Sequence, residues 1–170
     1  MRKFKHSSLL AIMLLVVLVA PISAATLSLG TNHPISYSPG DTLILSGSIL
    51  PTYDRGILSD IYVAVVFPNG SIQTLDENFV WHDTLVPILS AFRLAKLDAP
   101  NFYSVQLTSA LPSGLYILYL VAVPTGANPF DTSTWLGSAR AVIAFNNYNI
   151  TLVCSDPSCV VTCIVGKTCP

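Results

Sequence analysis

Cysteine is absent from the first 153 residues of this 170-residue chain; all four occur in the last 17. A disulfide crossing the body of the fold is therefore excluded. Charge is nearly as scarce, with Asp, Glu, Lys and Arg making up 10% of residues. Beyond the first five residues no basic cluster is present, so nucleic-acid binding lacks its electrostatic footprint and anionic lipid its polybasic anchor. Histidine is limited to His6, His33 and His82. Neither a Gly-x-Ser-x-Gly elbow nor a His-Glu-x-x-His helix occurs, which removes the commonest hydrolase and metalloprotease signatures. No internal repeat and no long low-complexity segment is visible.

Apolar residues, by contrast, reach 52%. Part of this lies at the start. Arg2, Lys3 and Lys5 precede 12 uninterrupted apolar residues, Leu9 to Ala20, followed by Pro21 and the small residues Ser23, Ala24 and Ala25. This three-part order predicts a cleaved signal peptide over 1–25, with cleavage after Ala24 or Ala25. A spanning helix needs about 20 apolar residues, so a retained anchor is the weaker reading. Export leaves five basic residues against nine acids, a net charge of −4. The expected location is secreted, periplasmic or at the cell surface, with no membrane span once the signal is removed. A surface so poor in charge favours self-association or a protein partner, unless Ser, Thr and Asn supply the solvation.

The region 26–150 is long enough for one domain with its own core. Turn sequences punctuate it at 38–40, 68–71, 98–101, 111–114 and 124–126. Between them lie short β-branched and aromatic runs, the spacing of an all-β sandwich or barrel. Strands are expected at Thr42–Ile49, Asp60–Phe67, Ser71–Leu75, Asn101–Ser109, Leu115–Val123, Ser138–Phe145 and Asn149–Cys154. Asp60–Phe67 is apolar on both faces, as a central strand would be. Glu77–Leu97 is ambiguous: Leu85, Ile88, Leu89 and Phe92 have helical spacing, but Pro87 interrupts it. Strand or irregular loop is expected there, with Phe92 and Leu94 inward.

The run LPSGLYILY at Leu111–Tyr119, with SPGD at 38–41, DIYVAVVFPNG at 60–70 and Trp135–Gly137, resembles bacterial exported immunoglobulin-like and fibronectin type III-like modules over about 37–145. The resemblance implies an immunoglobulin-like antiparallel β-sandwich. It implies a tyrosine-corner role for Tyr116, behind the turn at Gly114, with the hydroxyl bonded to nearby backbone. Modules of this kind serve in adhesion, spacing, assembly and carbohydrate binding, so the fold alone does not choose a function.

Candidate chemistry is sparse. Trp81, Trp135, Phe79 and Tyr103 are the possible ligand-binding residues, as stacking faces for a glycan, with core or edge packing as the alternative. His82 beside Asp83 is the one local imidazole–carboxylate constellation. Neighbours on a strand point to opposite faces, so a direct dyad is not implied and an enzyme is not expected; a metal-dependent or hydrolytic enzyme around His82 is the remaining alternative. Asp76, Glu77 and Asp83, and separately Asp54 and Asp60, lack calcium-loop spacing, and solvated loop acids are expected. No metal and no cofactor is expected. Asn69 and Asn149 open glycosylation sequons.

The tail 151–170 contains Cys154, Cys159, Cys163 and Cys169. It lacks the histidine of a haem attachment and the paired knuckles of structural zinc. In an oxidising compartment two disulfides are expected, making a small stapled C-terminal appendage. Turn residues favour Cys154–Cys159 with Cys163–Cys169; the interleaved pairing Cys154–Cys163 with Cys159–Cys169 competes.

Overall fold

A computed structural model describes residues 24–33, 35–52 and 56–147. Residues 1–23 of the expected signal segment, Asp54, Asn149 and the four cysteines lie outside the described residues. The elements run β1 (Ala25–Thr31), β2 (Ser36–Tyr37), β3 (Thr42–Pro51), β4 (Leu58–Val66), β5 (Ile72–Leu75), β6 (Trp81–His82), β7 (Leu89–Arg93), β8 (Leu97–Gln106), β9 (Gly114–Pro124) and β10 (Gly137–Phe145). A short 3₁₀ turn at Thr132–Thr134 precedes β10.

The chain forms two sheets. The smaller has the order β1-β3-β8. The larger runs β2-β10-β9-β4-β5-β6, with β7 also pairing β4. Alternation explains the core. Ile61, Val63 and Val65 of β4, with Leu118, Leu120 and Ala122 of β9, face Leu43, Leu45 and Ile49 of β3. Each Leu, Ile or Val fully buried there contributes about 1.5–3 kcal/mol. The all-β sandwich expected from the sequence is thus present, with one departure: β10 and β2 pair in parallel, through Ala144–Ser36 and Phe145–Tyr37.

Most expected strands lie within one to four residues of their places. Two corrections are needed. Asp98–Asn101, expected as a turn, lies inside β8. β8 is an edge strand of its sheet, where the missing N–H of Pro100 is tolerated. The irregularity expected of Pro-Asn is instead a register shift opposite Leu45 and Gly47. Asn101 there takes φ 52° and exchanges hydrogen bonds with Ser46. The second correction concerns Asp60. It is buried, not a solvated loop acid. Its two carboxylate oxygens accept the Ala91 N–H at 2.8 Å and the Gly126 N–H at 2.9 Å.

The ambiguous stretch 77–97 is organised from its neighbours. Besides Asp60, buried Ser59 donates to the Phe92 carbonyl at 3.0 Å. Buried Thr74 donates to the Thr84 carbonyl and accepts the Val86 N–H. β7 forms on this scaffold, and Leu94 reaches the core.

Candidate binding surfaces at the aromatic edge and the outer sheet face

The β5–β6 hairpin joins the two sheets at one edge of the sandwich. Leu75 pairs with Trp81 and Thr74 with His82. The intervening turn is built on Asp76. One of its oxygens accepts the Asn78 and Val80 N–H groups at 2.9 and 2.8 Å; the other lies 2.9 Å from the His82 Nε2. The Val80 hydrogen bond and the His82 contact hold the Asp76 carboxyl below its ordinary pKa. His82 therefore meets Asp76, six positions earlier and across the turn, while the Asp83 carboxylate accepts from Gln73 at 2.9 Å. The pair locks a turn; its second carboxylate oxygen is occupied by backbone.

That turn raises Phe79, which sits at φ 61° and is about half exposed. Its ring lies 6.4 Å from that of Tyr103 at an interplanar angle of 30°. Trp81 meets the same tyrosine edge-on at 5.7 Å, and its indole N–H donates to the Tyr103 hydroxyl at 2.8 Å. Three of the four aromatic residues singled out in the sequence thus gather at one place, bridging β6 and β8. Trp135 does not join them. Its indole N–H donates to the Pro129 carbonyl, and its ring packs with Tyr62, Val121 and Val123 on the outer face of the larger sheet.

Beneath the aromatic bridge an apolar cleft of about 330 Å³ opens between the sheets. Val65, Leu118, Ile143 and Phe145 form part of its floor, with Gln73 and Gln106 among its few polar lining residues. Its far wall is the arch 107–113 that joins β8 to β9. Tyr116 secures this arch: its hydroxyl donates to the Pro112 carbonyl at 2.7 Å, and its ring meets Phe67 and Phe145 edge-on. Burial pushes the Tyr116 hydroxyl pKa up. Gly114 takes φ 147°, and a Cβ there would lie 2.7 Å from the Pro68 ring.

A second surface was not singled out in the sequence. On the outer face of the larger sheet, register aligns Ile72 with Val66, Val66 with Ile117 and Ile117 with Val142. This apolar row crosses four strands. Leu115, 62% exposed, and Ile35, 70% exposed, extend it toward β2. The loop carrying Trp135 covers the other end of the face, over Tyr62 and Val121. The sequence signal was the two-sided apolar pattern of β4 and β9. It was legible as a central strand, but not as a face left open.

No protein-family model and no curated protein matches the chain. Among solved structures the chain is similar to the CARDB domain of PF1109 from Pyrococcus furiosus. Its solution NMR structure gives a TM-score of 0.40 at 10% identity, covering 74% of this chain and 96% of that one. A crystal structure of that domain in complex with di-metal ions gives 0.38 at 9% identity, covering 72% and 87%. The sandwich assignment of the present chain rests on its own two packed sheets. Among its described residues, no group of three or more His, Cys, Asp or Glu side chains is placed to hold a metal ion.

Proposed function

We propose that the protein is a non-enzymatic exported β-sandwich module that acts by binding or assembly at the cell surface or in the periplasm. Its docking surface is the outer face of the larger sheet. The observation that carries this reading is the cross-strand row Ile72–Val66–Ile117–Val142, extended by Leu115 and Ile35. An antiparallel sheet with one solvated face normally alternates apolar and polar residues. Here the outward positions at the arch end are apolar, and contiguous exposed apolar patches mark interaction sites. The low charge of the exported chain works in the same direction. Among the described residues the one imidazole–carboxylate contact, His82–Asp76, fastens a turn, which supports a structural role for it.

Light scattering on the exported chain over a range of concentrations tests this. Mass should rise with concentration, and Val142→Asp should hold the protein monomeric. A wild-type monomer at every concentration that also fails to bind envelope fractions would contradict the proposal.

The gathering of Phe79, Trp81 and Tyr103 favours one alternative, a carbohydrate-binding unit with Phe79 as its exposed platform. Trp135 has no part in it. Glycan-array binding that is lost in Phe79→Ala would support this reading; no binding to any glycan would remove it.

A further inference from the structure

The turn between β4 and β5 carries a hydroxyl that its own backbone does not require. The Gly70 N–H donates to the Phe67 carbonyl at 2.9 Å, and the Phe67 N–H donates to the Ser71 carbonyl at 2.9 Å. Gly70 sits at φ 84°. Pro-Asn-Gly suits this turn, with proline at its first corner and glycine where the chain goes left-handed. Nothing in that pattern calls for a hydroxyl at position 71. Ser71 supplies one, and it donates to the Asn69 Oδ1 at 2.8 Å, beside the Ser71 N–H at 3.0 Å. A backbone N–H is accepted by the amide oxygen and not by the amide nitrogen, so the orientation of the Asn69 side chain is fixed. Its nitrogen, Nδ2, has no hydrogen-bond partner among the described residues. Pro68, Asn69, Gly70 and Ser71 are all exposed, and a Cβ built on Gly70 would meet no atom within 4 Å.

We propose that Asn69 is N-glycosylated at this free Nδ2 when the chain is exported. Asn-x-Ser is the acceptor pattern for that modification, which is made on surface loops of secreted proteins. The second substrate is a sugar carried on a lipid phosphate or pyrophosphate in the export membrane. Nδ2 attacks the anomeric carbon, and the new C–N bond forms as the bond from that carbon to the phosphate oxygen breaks. The lipid phosphate leaves with the bonding pair, and Nδ2 gives up one of its two protons. The product fits the turn. Oδ1 keeps both Ser71 hydrogen bonds, because the sugar is attached to the other amide atom. The pairing of β4 with β5 ends at Val66–Ile72, so the sugar stands beyond the last pair of the hairpin. The proposal rests on the export step of the reading above and is independent of the docking face.

Peptide mapping of the exported protein, purified from the cells that make it, tests this. Trypsin cuts after Arg55 and Arg93 and nowhere between, so Asn69 falls on the peptide 56–93, apart from the Asn149 sequon. That peptide should be heavier by one or more sugar residues, with fragmentation placing them on Asn69. Asn69→Gln and Ser71→Ala should each abolish the added mass. Ser71→Thr retains the acceptor pattern and should keep it. Ser71→Ala preserves the backbone N–H that bonds Asn69, so the turn survives and the loss reports the acceptor pattern itself. An exported protein with a processed N-terminus and an unmodified 56–93 peptide would overturn the proposal while leaving export intact. Added mass that persists in Asn69→Gln would overturn it as well. An unmodified peptide on a chain that keeps residues 1–24 would overturn both this proposal and the export reading.

Discussion

The Tyr116 hydroxyl reaches four residues back to the Pro112 carbonyl at 2.7 Å, and so ties the start of β9 to the arch that closes one end of the sandwich. Tyr116→Phe keeps the ring contacts with Phe67 and Phe145 and removes only this bond. A buried hydrogen bond contributes about 1 kcal/mol net. Urea denaturation should show a loss of that size, with an unchanged slope.

β1 lies close against the start of β10, and Gly137 makes this possible. A Cβ at Gly137 would fall inside contact distance of the Ala25 carbonyl oxygen and 2.6 Å from the Leu27 Cδ1. Backbone cannot yield as a flexible side chain can. Gly137→Ala should therefore cost about 1–3 kcal/mol, and calorimetry would measure the fall in melting temperature. Hydrogen exchange should show β1 loosening first.

The Ala25 N–H donates to the Leu136 carbonyl at 2.9 Å, and Ala25 is almost wholly buried. Removal of a signal after Ala24 would keep this residue; removal after Ala25 would delete it. N-terminal sequencing of the exported protein should read Ala25 first. A start at Thr26 would contradict that.

Buried Asp60 holds two N–H groups from separate segments, Ala91 and Gly126. Asp60→Ala leaves both donors without their acceptor, at about 1–3 kcal/mol each if they stay buried. Denaturation should show a loss of at least 2 kcal/mol on that basis. Exchange should speed up in β7 and in the turn after β9, while β1 and β3 remain protected.

Asp76 carries a pH dependence of defined sign. Its folded pKa lies below the ordinary carboxylate value of about 4. Its contribution is therefore fully present above that value and is lost as pH falls through the folded pKa. Melting temperatures of wild type and Asp76→Asn, compared from pH 7 down to pH 2, should differ at neutral pH and converge in acid. A constant gap would contradict this.

Much of the sandwich was legible in the sequence because its central strands are long, β-branched and bounded by turn residues. β4, β9 and β10 stand close to their expected places for that reason. β1 was missed. ATLSLGT is short and follows closely on the apolar run 9–20, and its fit depends on a glycine 112 positions later. The path of 77–97 was illegible for a related reason: its anchors, Ser59, Asp60 and Thr74, lie on other strands. Of the candidate site, the residue types Phe79, Trp81 and Tyr103 were visible, but their meeting depends on the β5–β6 hairpin reaching β8. The outer apolar row was hidden because strand pattern reveals two apolar faces without revealing which of them a second layer covers.

Hydroxyl-radical footprinting over a concentration series tests the docking face most directly. Leu115, Val142 and Ile35 are exposed on that face, while Phe79 and Leu50 are comparably exposed elsewhere. Assembly through the face predicts that oxidation of Leu115, Val142 and Ile35 falls as concentration rises, while Phe79 and Leu50 oxidise at a constant rate. Equal oxidation of all five residues at every concentration would contradict it.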